Sequence, residues 1–243
     1  MYALFVKEVR GFLSSVTGFL VIGIFLLITG LFLWVFHTDF NIPDYGYANV
    51  DSLFILSPFV FLFLIPAVTM RTFSDEKQTG TIELLLTRPL SDMQIITAKY
   101  LASFALVVFS LLPTLIYYFS VYQLGYPVGN IDSGGFWGSF LGLLFLGAAF
   151  VSIGIFSSSV TDNSIVSFIL AVAVSAFMYL GFEFIYSFSL FGKFDLFIKS
   201  LGMSDHYSSI SRGVIDTRDV LCFLSVIALF NGLTWFVLGK RKW

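Results

Sequence analysis

An all-helical integral membrane protein with six transmembrane helices is the fold this sequence predicts, and three observations carry the prediction. Of its 243 residues, 58% are hydrophobic and 12% charged, with a mean hydropathy of +0.93; soluble domains run at roughly 45 to 50% apolar and about 25% charged. Six stretches, 11–38, 52–70, 100–131, 133–161, 163–182 and 220–239, contain no Asp, Glu, Lys or Arg, and each can hold the roughly 20 apolar residues that a 30 Å hydrocarbon core demands. The apolar runs are continuous, whereas barrel strands would be segments of about ten residues with alternating polarity. A soluble domain and a disordered chain are thereby excluded. A formal charge of −2 and a pI near 5.6 argue against nucleic acid as a partner.

Within these stretches the spans are expected near 16–36, 53–70, 98–122, 136–157, 164–186 and 219–238. The first apolar run is longer than the 7 to 15 residues of a signal-peptide core and reads as a span. Pro58, Pro66 and Pro113 fall inside spans two and three, where neighbouring helices have to satisfy the carbonyls they free. The single cysteine, Cys222, reads as a small apolar residue of a helix. Placing the N-terminus in the cytoplasm puts nine Lys and Arg inside and four outside, so both termini are expected there. The four outer cations, Lys193, Lys199, Arg212 and Arg218, lie in one long loop.

Two segments are neither spans nor plain turns. Residues 71–99 carry eight of the 28 charged residues. Gly80 interrupts this segment, Thr81 reads as an N-cap, and Ile82, Leu85 and Leu86 form an i, i+3, i+4 apolar face with Glu83 in the first turn. The result is a short amphipathic helix ended by Arg88-Pro89. Ser91 and Gln94 then form a capping box that opens the helix of span three. As a mere connector the segment would lie in the lipid headgroups; as an ordered, capped insert it reads as a docking element for something pressing from the cytoplasm. The second segment, 187–219, is too short and too polar to cross twice, and reads as two short helices, 187–197 and 205–214, around Gly202. Arg212 and Asp216 have the i, i+4 spacing of a helical ion pair. Glu183, near the outer end of span five, is either a candidate pathway acid or an interfacial carboxylate paired with Lys193.

The sequence holds no G-x-x-x-x-G-K-[ST], H-E-x-x-H or G-x-S-x-G, and its two histidines, His37 and His206, are expected on outer loops. No catalytic set and no metal ligands are expected. No internal repeat is visible, so residues 1–243 read as one membrane domain.

The run from Glu76 to Leu86 follows the pattern E-x-x-x-G-T-x-E-x-L-L and resembles the signature of ABC-2 type permeases, the six-helix membrane subunits of ATP-driven transporters. The stretch from Ser211 to Val220 reads S-R-G-x-I-D-x-R-D-V and resembles a subgroup that includes the gliding-motility-associated permeases of Bacteroidota, the GldF type. With an amphipathic N-terminal helix around Lys7 and Glu8 and six spans, the likeness covers the whole chain. It implies that Glu76, Gly80, Thr81, Glu83, Leu84 and Leu85 form a cytoplasmic coupling helix between spans two and three that fits a groove on an ATPase. It also implies that Arg212, Gly213, Asp216, Arg218 and Asp219 belong to an outer helical hairpin between spans five and six.

The resemblance further implies a bacterial inner-membrane exporter linked to gliding or secretion. ATP and Mg would be bound by a partner P-loop ATPase, and a second permease subunit, the same chain or one carrying a periplasmic domain, would complete the path. The rival reading is a membrane-embedded structural or assembly subunit that translocates nothing. A secondary transporter is disfavoured by the scarcity of ionisable groups within the spans.

Overall fold

The computed structural model describes residues 1–82, 91–189 and 192–240. Among them every regular element is helical, and six helical stretches are long and apolar enough to cross a membrane. Helix α1 (Tyr2–Ser14) precedes the first span, α2 (Val16–Trp34), and α3 (Ile42–Tyr45) lies in the loop that follows. The second span is α4 (Asp51–Thr69), continued by α5 (Arg71–Gln78); the third is α6 (Asp92–Leu111), broken by a 3₁₀ turn at Leu112–Thr114 and resumed as α7 (Leu115–Leu124). Helix α8 (Ser133–Val160) is the fourth. The fifth is α9 (Ser164–Ala176), joined by a π turn at Phe177–Gly181 to α10 (Phe182–Ser187). Short helices α11 (Asp195–Lys199) and α12 (Met203–Ile210) precede the sixth, α13 (Thr217–Gly239).

These helices start where the sequence offers caps. Ser91 and Gln94 make the expected reciprocal capping box on α6, Asn163 accepts from two N–H groups of α9, and Asp132 caps α8. Pro113 interrupts the third span with a 3₁₀ turn, while Pro58 and Pro66 are carried within α4. Proline at 58 removes the N–H that would bond the Phe54 carbonyl. The Tyr207 hydroxyl of α12 donates to that carbonyl at 2.7 Å in its place.

Helix α8 is the axis of the bundle, with 78% of its apolar window buried against 22% for the first, fifth and sixth spans. Small residues let its neighbours approach closely. A Cβ on Gly138 would stand 2.7 Å from the Gly213 Cα and 2.8 Å from the Ile210 carbonyl; one on Gly147 would stand 2.8 Å from Val107 of α6; and one on Gly154 would collide with the Thr69 hydroxyl of α4. Successive glycines of one helix thus receive the segment after α12, then α6, then α4. Six crossings bring α1 and the end of α13 to one end of the bundle, and α11 and α12 to the other.

Gly154→Ala is expected to cost about 1 to 3 kcal/mol through overpacking against α4. Gly23→Ala, with nothing within 4 Å of the added carbon, should leave the melting temperature of the detergent-solubilised protein unchanged or higher. Equal melting of the two variants would contradict this packing.

Candidate coupling site

The second span does not end where its apolar residues end. It breaks at Met70 and runs on as α5, whose composition is polar and whose residues Thr72, Phe73 and Ser74 are nevertheless buried. One hydroxyl from α8 organises the break. Ser158 Oγ accepts from the backbone N–H groups of Phe73 and Ser74 at 2.9 and 3.0 Å and donates to the Met70 carbonyl at 2.9 Å. That is the full capacity of a hydroxyl, one donor and two lone pairs. Further along α5, Lys77, with its side chain 2% exposed, donates to the Ser159 carbonyl and stands 3.7 Å from Asp162 Oδ1. A cation at the last carbonyls of a helix is favourably placed.

The other side of α5 is held by Lys99 of α6, 1% exposed. Its ammonium donates to Glu76 Oε1 and to the Thr72 carbonyl, both at 2.8 Å, and to Glu8 Oε1 of α1 at 3.5 Å, and it lies 5.1 Å from the centre of the Phe73 ring. All three donors of the ammonium are used. One buried cation therefore ties α1, α5 and α6 together.

The residues expected to couple to an ATPase are distributed as follows. Glu76 faces Lys99 inside the chain. Gly80 has φ +70° and open space around it, so the backbone conformation and not packing demands glycine there. The Thr81 hydroxyl, expected to cap a helix, lies 2.9 Å from Thr79 Oγ1 and donates to the Glu76 carbonyl at 3.4 Å, and the N–H groups of residues 83 and 84 that it would cap lie outside the described residues. Glu83, Leu84 and Leu85 lie outside the described residues. The clamp formed by Lys77, Lys99 and Ser158 is absent from the sequence reading. A signal for Lys99 existed: it shares one stripe of α6 with Ile95, Ile96, Ala102, Ser103 and Leu106, all buried.

At the opposite end, Glu183 and Arg212 line a cavity of about 560 Å³. Glu183 accepts from Ser204 Oγ at 3.0 Å, and the Lys193 side chain expected to pair with it is outside the described residues. The short helices around Gly202 are α11 and α12, both shorter than the 187–197 and 205–214 segments expected. The expected Arg212–Asp216 pair is not formed, because α12 ends at Ile210 and the two residues share no helix; Asp216 instead caps α13 by accepting the Arg218 N–H at 3.1 Å. Gly213, at φ +83°, lies against the Gly134 and Gly135 backbone. His206, in the connection between spans five and six, is buried in α12, with Nδ1 2.6 Å from Asp219 Oδ1 and Nε2 2.8 Å from the Ser200 carbonyl. Two acceptors favour the doubly protonated ring. The Cys222 thiol, then Asp219 and the Ser200 carbonyl, raise its pKa to about 9 against the opposing effect of burial.

Removing Lys99 leaves two carboxylates without their buried cation. Lys99→Met should therefore cost roughly 3 to 5 kcal/mol, and adding Glu76→Gln to it should recover much of the loss, a coupling measurable as a thermal-denaturation double-mutant cycle. Additive losses would show that the two groups do not interact.

A search of curated proteins finds no significant match. The family model described as ABC-2 family transporter protein matches residues 2–239, from α1 through the sixth span. The chain, a multi-pass membrane protein with six apolar helices, belongs to the ABC-2 transporter family and is a permease component of an ABC transporter.

Proposed function

We propose that this permease works in an ATP-driven exporter, and that the segment following α5 docks on a separate P-loop ATPase subunit, which binds the ATP and Mg. Two permease chains would face each other, the second being either another copy or a different chain that supplies a periplasmic domain. The observation that carries this reading is the clamping of α5 from both sides. Ser158 and Lys77 fix it to α8, and Lys99 fixes it to α1 and α6. A helix held this way passes a push at 79–82 into the central helix of the bundle instead of absorbing it locally.

The charge distribution supports the orientation. Among the described residues, the end that carries α1, α5 and the terminus of α13 holds six Lys and Arg against four at the other end, which favours the cytoplasmic side of the inner membrane. The loop between Trp34 and Asp51 is too short for an outer domain, which is why such a domain would belong to the partner. A link to gliding motility or secretion is suggested by the resemblance of residues 211–220 alone.

The test is Gly80→Val combined with Glu83→Lys. A β-branched residue at φ +70° strains the turn by about 1 kcal/mol or more, and the lysine reverses the charge presented to the partner. The chain should insert and melt within a few degrees of the unaltered protein, yet lose copurification of the ATPase and stimulated ATP hydrolysis. Unchanged ATPase yield and hydrolysis would overturn the coupling assignment and favour an assembly role without translocation.

A further inference from the structure

The cavity at the α11–α12 end has walls of two kinds. Phe54, Ile55 and Phe59 of α4 and Tyr179 of the π turn form an apolar and aromatic side. Phe59 and Tyr179 meet edge to face at 6.3 Å, and Ile55 and Phe59 remain 55% and 46% exposed. Facing them are six charged residues: Asp51, Asp132, Glu183, Lys199, Asp205 and Arg212. Lys199 and Asp205 neutralise each other at 3.3 Å. The remaining acids have only neutral partners among the described residues: Asp51 accepts from the Asn49 amide, Asp132 from the Gly135 N–H, and Glu183 from the Ser204 hydroxyl. Among the described side chains, three carboxylates are thus set against the single guanidinium of Arg212.

Carboxylates beside aromatic faces select for a particular charge. An anion would meet an excess of negative charge, and a hydrated inorganic cation would gain nothing from the apolar wall. A cation with an apolar body satisfies both sides, since ring faces attract desolvated ammonium groups and carboxylates pair with them. The volume of about 560 Å³ is in the range of small-molecule sites.

We infer that this cavity binds an amphipathic organic cation, an amine or quaternary ammonium held by Glu183, Asp51 and Asp132 with its apolar part against Phe54, Phe59 and Tyr179. The inference names a substrate class for the permease and rests on that reading for its transport role; binding itself requires no ATPase.

The experiment uses the full chain in phosphatidylcholine nanodiscs, with the fluorescent cation rhodamine 6G, the neutral dye Nile red and the anion fluorescein as probes. Rhodamine 6G should bind saturably and more tightly than either other dye. Asp51→Asn with Glu183→Gln should weaken it at least about tenfold, and Arg212→Glu, which adds to the negative excess, should tighten it. No saturable rhodamine binding, no preference over Nile red and fluorescein, or an unchanged affinity in both variants would overturn the proposal. Such a failure with the ATPase still copurifying would sink the cavity alone. Loss of the ATPase partner with dye binding intact would leave the cavity standing and sink the coupling reading.

Discussion

An ammonium group taken out of water must find an acceptor for each of its three hydrogens, and in this chain that requirement fixes where three helices meet. Lys99 satisfies it with one carboxylate from α1 and one carboxylate and one carbonyl from α5. The cost of burying the ion makes the arrangement selective: a register of α1 or α5 that moved Glu8 or Glu76 away would leave an uncompensated charge. The aromatic face of Phe73 completes the enclosure. Other features at this end depend on that placement. Because α5 is held over α6, its first turn presents the N–H groups of Phe73 and Ser74 to Ser158, and its last turn brings Lys77 to the end of α8.

The central helix connects this end to the other. Its glycines admit α4, α6 and the turn after α12 at distances that any side chain would forbid, so a displacement of α5 relative to α8 is a displacement within a close-packed stack. The far end repeats the logic with different groups. Tyr207 supplies the bond that Pro58 removes from α4, and His206 joins α12 to the first turn of α13 through Asp219. The cavity lies between these anchors, walled by α4, α8 and the fifth span. Movement of α4, the one span continuous with the clamped α5, would reshape it.

Much of the architecture was legible in the chain because an ionised side chain is excluded from a bilayer core: the charge-free stretches located all six spans, and caps at Ser91 and Asn163 located helix starts. Span three illustrates both success and limit. Its capping box and its break at Pro113 follow from local chemistry, whereas Lys99, counted as a flanking charge that sets orientation, turned out to be the buried centre of the clamp. Its neighbours Ile95, Ile96 and Ala102 could have flagged it, but its partners lie 23 and 91 residues away. Ser158 was not legible, since it bonds backbone 84 and 85 residues distant and serines are common in membrane helices. The Arg212–Asp216 pairing failed because spacing predicts a pair only where a helix exists, and Gly213 at φ +83° ends any helix there. The cavity required five elements to be assembled in space before Glu183 could be seen among other acids.

The claim that Lys99 binds α1 and α5 into one unit is tested most directly by a distance measurement between them. Spin labels at Lys7 and Gln78, both exposed, in a Cys222→Ser background would report the separation by pulsed electron resonance in nanodiscs. A single narrow distribution is predicted for the otherwise native chain, broadening or splitting in Lys99→Met. A broad distribution in the native chain, or one as narrow without the lysine as with it, would contradict the account.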